Sequence, residues 1–120
     1  MNDLCLHQGN YATVNFYLSN FTELSALQNA IKNIPYRDGN TNTTGGLRLM
    51  RTECFNRANG DRYYAPNVAI LITDGIPNRE LDLLPGEVAT VKSLDIRIIG
   101  VGITNRVTVL HKRCCYRSFV

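Results

Sequence analysis

One apolar run constrains the fold of this chain more than any other stretch. Residues 68–72, VAILI, are five consecutive apolar residues that leave no polar face. A run this short and this rich in β-branched side chains is typical of a strand buried on both faces, as in a parallel sheet covered by helices. The run ends abruptly in Thr73-Asp74-Gly75, with Pro77 just beyond. Because ligands of open α/β sheets bind where the carboxyl ends of strands meet the loops, Asp74 is expected to cap or bind something there.

The rest of the chain predicts strands and helices in alternation. Residues 11–18 alternate apolar and polar side chains and predict a half-buried edge strand, whereas residues 1–10 have no period and predict a loop or a broken edge. A second buried strand is predicted at residues 96–101. Because short links join it to the 68–73 strand through a helix, the two strands should be parallel neighbours with a right-handed crossover.

Three helices are predicted, at residues 22–34, 44–57 and 86–94. Thr22 is a suitable N-cap for the first helix, and Pro35 prevents its continuation. Each helix has one apolar face, formed by Leu24, Leu27, Ile31 and Ile34 in the first, by Leu47, Met50 and Cys54 in the second, and by Val88, Val91 and Leu94 in the third. The predicted class is therefore α/β, with a doubly wound, mainly parallel sheet.

Length, charge and cysteine usage narrow the functional classes. The 120 residues suffice for one small domain with a core, and the net charge of +3 comes from dispersed basic residues, so nucleic-acid binding is not implied. No apolar run is long enough to span a membrane, and the first ten residues have no signal-peptide core. The four cysteines, Cys5, Cys54, Cys114 and Cys115, have neither metal-site spacing nor a clear disulfide framework. We interpret Cys54 as a small core residue, and the cluster of His111, Cys114 and Cys115 as accidental.

Polar side chains converge from two loops. The segment from Asp38 to Thr44, DGNTNTT, and the Thr73-Asp74-Gly75 turn are both expected at the carboxyl end of the sheet. Hydroxyl and carboxylate oxygens suit magnesium, manganese or calcium rather than zinc. An alternative is that Thr43 or Thr44 caps the second helix and Asp74 closes a turn, since turns are rich in such residues.

These motifs together resemble the von Willebrand factor type A domain of collagen- and matrilin-like extracellular matrix proteins. The resemblance is carried by YRDGNTNTTGGL, VAILITDGIPN and IRIIGVGITN, and it runs from about residue 11 to residue 106. It implies a Rossmann-like doubly wound sheet with a metal-ion-dependent adhesion site, where a divalent cation takes an acidic side chain of the partner. Residue by residue, Thr41 matches the threonine ligand of the family and Asp74 its aspartate ligand.

The resemblance also implies an incomplete domain. No aspartate begins the Asp-x-Ser-x-Ser loop that ends the first strand of the family, and residues 11–18 match its edge strand. The first two strands and the C-terminal part are therefore expected to be missing, which leaves residues 1–10 and 107–120 unassigned. With Thr41 and Asp74 as the two ligands, magnesium or manganese, with calcium as an alternative, is expected to bind weakly or not at all.

The expected function is a non-enzymatic binding module in an extracellular protein, with collagen or another matrix component as its partner. The alternative is a magnesium-dependent hydrolase that uses Asp74, but no nucleophile or general base is paired with it in its loop. Two sequons, at Asn20 and Asn42, match the N-glycosylation pattern. Asn20 is the possible glycosylation site, because a glycan at Asn42 would crowd the adhesion loop.

Overall fold

The computed structural model describes residues 4–6, 11–17, 19–35, 39–73 and 76–102, and of residues 4–6 it describes the backbone alone. The described strands are β1 (Leu4–Leu6), β2 (Thr13–Phe16), β3 (Val68–Thr73) and β4 (Arg97–Gly102). The described α-helices are α1 (Leu24–Lys32), α2 (Thr43–Leu49) and α3 (Leu84–Ser93). After α2 the chain continues in a π-helical turn, Met50–Cys54, and a 3-10 turn, Arg57–Asn59.

The two apolar runs form the parallel pair that the sequence predicts. Strand β3 pairs with β4 in parallel, in a register that runs from Val68 opposite Arg97 to Thr73 opposite Gly102. Helix α3 lies between the two strands in the sequence, as a parallel pair requires of its connection. The α/β class and the parallel pairing are confirmed.

The core lies where α2, α3 and one face of the parallel pair meet. Five buried side chains form it: Leu47, Met50, Val88, Val91 and Ile96. Phe55, Ala69, Leu84 and Ile98 pack against this cluster from its margin. Helix α2 also contacts β1 and β2, so the same helix supports both pairs of strands.

The other face of the parallel pair is open in the described structure. Burial alternates along β3, where Val68, Ile70 and Ile72 keep 44%, 64% and 57% of their surface exposed, and Ile99 and Val101 of β4 are exposed too. The expectation that this strand is buried on both faces is therefore wrong here. The physical reason is that the core cluster covers one face of β3 and leaves the other face exposed.

Strand β1 decides between the two alternatives predicted for the N-terminal segment. Residues 4–6 form a short strand that pairs antiparallel with β2, Leu4 lying opposite Phe16, and its register shifts between Leu4 and Cys5. Of the predicted loop and broken edge, the structure therefore supports the broken edge for residues 4–6. The predicted alternation of β2 is confirmed, since Val14 is half-buried and Phe16 buried, and the Phe16 ring packs edge-on against Phe21 at 5.3 Å between centroids.

Two predicted helix ends are shifted by local backbone geometry. Helix α1 begins at Leu24 with Glu23 at its N-cap, so Thr22 is not the cap, and none of the α1 side chains is fully buried. Helix α3 ends at Ser93, and Leu94, which was predicted to point inward, is exposed. Asp95 follows in a left-handed conformation with φ 56°, which turns the chain away from the helix.

Gly60 ends the second helical segment. Gly60 has φ 105° and closes the 3-10 turn, because this left-handed conformation strains any residue with a Cβ. Cys54 is buried in the core as predicted, and it is also disulfide-bonded, which the sequence analysis did not predict. The pattern of one chain shows no pairing signal from which this bond could be predicted.

Among the described residues, no helix has the length and apolar character needed to cross a membrane. The predicted tail from residue 107, with His111, Cys114 and Cys115, lies outside the described residues, and so does Leu18 of the predicted edge strand.

The open face of β3 and β4 predicts that the isolated chain self-associates and is not a stable two-state monomer. Full burial of one such apolar side chain is worth about 1.5–3 kcal/mol, so association that covers several of them is favourable. Replacing Ile70 and Ile72 together by Thr, which keeps the β-propensity of the strand, should reduce self-association measured by analytical ultracentrifugation.

Leu81→Thr is the matched control, because Leu81 is exposed but lies outside the sheet. It should leave the sedimentation profile unchanged. A wild-type monomer with one cooperative unfolding transition and strong hydrogen-exchange protection across β3 would contradict the prediction.

Candidate functional site

The loop before α2 is hydrogen-bonded to the segment that follows β3. The backbone N–H of Thr41 donates to Oδ1 of Asn78 at 2.9 Å, and the backbone N–H of Asn78 donates to the carbonyl oxygen of Thr41 at 3.1 Å. Thr73 at the end of β3 and Pro77 just before Asn78 are both buried. The two loops that the sequence predicted at one end of the sheet therefore meet.

Of the two predicted metal ligands, the structure describes one. Thr41 is half-buried at this meeting point, whereas Asp74, Asp38 and Gly75 lie outside the described residues. The approach of the Asp74 carboxylate to the Thr41 hydroxyl therefore stays a prediction. Thr73, which precedes Asp74 at the end of β3, and Asn78, four residues after Asp74, are both described.

Asn42 fixes the start of α2. Its Oδ1 accepts a hydrogen bond from the backbone N–H of Gly45 at 2.7 Å, and its Nδ2 donates to Oε1 of Glu80 at 2.9 Å. The helix therefore begins at Thr43 with Asn42 as its N-cap. The alternative that Thr43 or Thr44 caps this helix is wrong, because both threonines lie inside its first turn.

The hydroxyls of the two threonines have different surroundings. Thr44 Oγ1 donates to the carbonyl oxygen of Glu80 at 2.9 Å. Thr43 is fully buried, and its Oγ1 finds no hydrogen-bond partner within the part of the chain that the structure describes. A buried hydroxyl without a partner costs about 1–3 kcal/mol of desolvation, so Thr43 is an unusual feature of this loop.

Glu80 joins the two loops through its side chain and its backbone. Its carboxylate accepts from Asn42 and from Nη2 of Arg48, the latter at 2.9 Å, and its carbonyl oxygen accepts from Thr44. The residue adopts a left-handed backbone with φ 49°, which is uncommon outside glycine and is held here by these three contacts. We name the set Thr41, Asn42, Thr44, Asn78 and Glu80 the loop junction.

The charges beside the junction are paired. The hydrogen bond from Asn42, and then the one from Arg48, hold the pKa of Glu80 below its ordinary value. Glu87 on α3 is buried and receives hydrogen bonds from Arg51, and it lies 3.6 Å from Nε of Arg48. The Arg51 pKa is raised by its hydrogen bond to Glu87. These contacts join the second helical segment to α3.

The donor set of the loops can be compared with what a divalent cation requires. Thr41 and Thr43 offer hydroxyl oxygens, which magnesium, manganese and calcium accept as ligands, and Thr43 Oγ1 is unpartnered. The described residues contain no cluster of three or more His, Cys, Asp or Glu side chains that could hold a metal ion. The described donors thus fit such an ion in kind, and Asp74, the predicted carboxylate ligand, lies outside the described residues.

Sequence reasoning missed the residues that hold the two loops together. Asn78 and Glu80 follow the strand-end motif and had no assigned role, and neither had Arg48 of the second helix. A weak signal existed, because Asn at the position before a Thr-Thr-Gly-Gly helix start is a favoured N-cap. The hydrogen bonds between residues almost forty positions apart have no signal in a single sequence.

Thr43 and Thr44 provide a matched pair of neighbouring substitutions. Thr43→Val should raise the free energy of unfolding by about 1–3 kcal/mol, since it removes a buried hydroxyl that lacks a partner. Thr44→Val should lower it by about 0.5–1.5 kcal/mol, because the hydrogen bond to Glu80 is lost. Urea denaturation of both variants measures the contrast, and equal effects would show that the two hydroxyls are in equivalent surroundings.

The lowered pKa of Glu80 predicts a pH-dependent contribution to stability. Because the folded-state pKa lies below the ordinary value of 4.5, ionised Glu80 stabilises the fold above pH 4.5, and this is lost as the pH falls through the folded-state pKa. Glu80→Gln should therefore be less stable than wild type at neutral pH, by about 0.2–1 kcal/mol since the pair is partly exposed.

The difference between Glu80→Gln and wild type should vanish in strongly acidic solution. Glu23→Gln is the control, because Glu23 is exposed and its side chain makes no capping hydrogen bond. A Glu80→Gln difference that persists unchanged below the folded-state pKa would show that charge is not its cause.

Comparison with solved structures supports the fold. The chain superimposes on proximal thread matrix protein 1 from the mussel byssus with a TM-score of 0.80 at 23% sequence identity, which covers 89% of this chain and 28% of that one. A second structure of the mussel protein, described as having a zinc-occupied MIDAS motif, gives a TM-score of 0.79 at the same identity and coverage.

Curated relatives share more of the sequence. Human cochlin is 30% identical over 110 residues, which is 85% of this chain and 20% of cochlin. Chicken matrilin-1 is 32% identical over 92 residues, which is 77% of this chain and 18% of matrilin-1. The collagen alpha-1(XII) chain of Notophthalmus viridescens is 30% identical over 76 residues, covering 63% of this chain and 8% of the collagen chain.

The chain spans about a fifth or less of the length of these relatives. The model of the von Willebrand factor type A domain family matches residues 5–111, a range that includes both loops of the junction and all of β1 except Leu4. From this match, and from the α/β fold with its parallel β3–β4 pair, the chain belongs to the von Willebrand factor type A domain family.

Proposed function

We propose that this chain is a protein-binding module of an extracellular matrix or cell-surface protein, which recognises an acidic group of its partner through a divalent cation. The observation that carries the proposal is the pairing of Thr41 with Asn78, which brings the Gly-Asn-Thr loop against the segment that follows Asp74. In this proposal Thr41 and Asp74 are the protein ligands of the cation.

The relatives support a matrix role. They include matrilin-1, a collagen chain and von Willebrand factor, and the solved neighbour is a thread matrix protein with zinc in its MIDAS motif. The proposed partner is collagen or another matrix protein, and the proposed location is extracellular. The metal of the neighbour belongs to that protein, whose identity to this chain is too low to transfer its ligands.

Cation binding by the chain alone is proposed to be weak. Magnesium prefers six oxygen ligands, and Thr41 with Asp74 would supply two. A carboxylate of the partner would add a charged ligand, so partner and cation would bind better together than either alone. The role of Thr41 and Asp74 is then to orient the cation towards the partner.

Binding, rather than catalysis, is the function that the site geometry favours. The acidic side chain in the described part of the junction is Glu80, and it is engaged by Asn42 and Arg48. A general base or nucleophile must reach the reacting group of a substrate, and a carboxylate committed to two donors inside the junction is poorly placed for this.

The test is retention of the purified chain on immobilised fibrillar collagen in manganese, magnesium or EDTA. Retention should be higher with either cation than with EDTA, and Thr41→Ala and Asp74→Ala should reduce it to the EDTA level. Asp82→Ala is the matched control, because Asp82 is an exposed acidic residue of the turn before α3 and is not part of the junction.

Calorimetry with the metal salts alone completes this test. It should show no tight, stoichiometric site in wild type, and a tight site that Asp74→Ala abolishes would contradict the weak-binding part of the proposal. Retention that is the same with EDTA as with the cations, and the same in all variants, would refute the role of the cation but not the binding function. Turnover of a generic phosphatase substrate that depends on Asp74 would overturn the binding function itself.

A further inference from the structure

Two Asn-x-Thr sequons occur in this chain, and the fold gives them opposite surroundings. They are Asn20-Phe21-Thr22, just before α1, and Asn42-Thr43-Thr44, at the start of α2. N-glycosylation joins the sugar to the Nδ2 atom of the asparagine, so a glycosylated asparagine is compatible with this fold only where that atom can face solvent.

Asn42 cannot carry a glycan in this fold. It is 2% exposed, and its Nδ2 donates to Glu80 while its Oδ1 accepts from Gly45. The side chain is also packed so closely on α2 that a Cβ added at Gly45 would lie 3.0 Å from it. A sugar on Nδ2 would have to displace the Glu80 carboxylate and open the loop junction.

Asn20 has the opposite geometry. It is exposed, and Thr22 is exposed as well. The Oδ1 atom of its side chain accepts a hydrogen bond from the backbone N–H of Tyr17 at 2.6 Å. The backbone N–H of Asn20 donates to the carbonyl oxygen of Tyr17 at 3.0 Å. The hydrogen bond that fixes the Asn20 side chain in the turn is thus made by its Oδ1 atom, and not by Nδ2, the atom to which a sugar is joined.

The middle residue of this sequon keeps the turn in place. Phe21 is half-buried, and its ring packs edge-on against the buried Phe16 of β2. The turn is therefore anchored by an aromatic contact beneath it, while Asn20 and Thr22 face solvent on either side. A glycan on Asn20 leaves both the Tyr17 hydrogen bond and the aromatic contact intact.

We propose that Asn20 is an N-glycosylation site of this protein and that Asn42 is not, an inference that rests on the extracellular location in the proposed function. The donor is a lipid-pyrophosphate-linked oligosaccharide of the secretory pathway. The Asn20 amide nitrogen forms a bond to the anomeric carbon of the sugar and loses one proton. The bond from that carbon to the pyrophosphate oxygen breaks, and the lipid pyrophosphate leaves.

The experiment uses the full chain, directed into the secretory pathway of cultured mammalian cells by an added cleavable signal peptide. The secreted protein is treated with peptide-N-glycosidase F in heavy-oxygen water, which converts each glycosylated asparagine to a labelled aspartate. Trypsin then separates the two sites, because Lys32, Arg37 and Arg48 place Asn20 and Asn42 in different peptides.

The expected result is labelling at position 20 and none at position 42, with a mass shift on gels that the glycosidase removes. Thr22→Ala should abolish the shift without touching the Asn20 hydrogen bond, and Thr22→Ser should retain it. An unmodified secreted protein, or a label at position 42 in folded secreted protein, would overturn the proposal.

Because the signal peptide imposes secretion, this outcome is separate from the proposed function. A glycan at Asn20 together with no cation-dependent collagen retention would refute the adhesion proposal alone. Collagen retention by secreted protein that lacks any glycan would refute the glycosylation site alone.

Discussion

The contacts of Glu80 are the constraint on which the candidate site depends. Its carboxylate receives Asn42 and Arg48, and its carbonyl oxygen receives the Thr44 hydroxyl, so one residue ties the segment after β3 to the start of α2. Its left-handed backbone is unfavourable for a residue with a side chain, and the contacts offset that cost. Since the Thr41–Asn78 pair lies in the same two segments, the relative position of the loops depends on this residue.

The sheet beneath the site is held from one side. The core cluster of α2, α3 and the parallel pair covers Ala69 and Ile98, whereas Ile70 and Ile72 face outward. The carboxyl end of β3, which carries Thr73 and then Asp74, is therefore anchored by its pairing with β4 and by half of its side chains. A ligand that covers the outer face and binds the folded chain but not the unfolded chain would stabilise this end of the strand by mass action.

The predictable part of the fold is the part that local pattern decides. No polar residue interrupts the run at residues 68–72. A helix of so few residues would bury this run less well than a strand does. For this reason β3 and its parallel partner follow from the sequence. A continuous apolar sequence indicates that a strand can be buried on both faces. It does not indicate which helices or strands are present to cover those faces. Burial of Ile70 on one side or both is a property of the neighbouring elements, and a single run contains no information on them.

What the sequence left undecided at the N-terminal segment and at Cys54 has a common origin. A three-residue strand such as Leu4–Leu6 is shorter than the roughly four to eight residues over which alternation can be recognised, and it exists because it pairs with β2. A cysteine on the apolar face of a helix has the same local pattern whether it is a thiol or a disulfide. Long-range pairing decides both cases, so periodicity predicts the surface that is buried and not the bond that is made.

Asn42 illustrates how burial selects among several local interpretations of one residue. From the sequence it is at once a turn residue, a glycosylation acceptor and a helix cap, because a short amide side chain suits all three. In the fold its oxygen accepts from Gly45 and its nitrogen donates to Glu80, and the residue is only 2% exposed to solvent. A buried polar group that loses one partner retains the full cost of desolvation, so the cap and the contact with Glu80 stabilise each other. The same reasoning makes Thr43 the exception in this loop: its hydroxyl is equally buried but has no hydrogen-bond partner among the described residues, in the segment where oxygen donors are expected to face a cation.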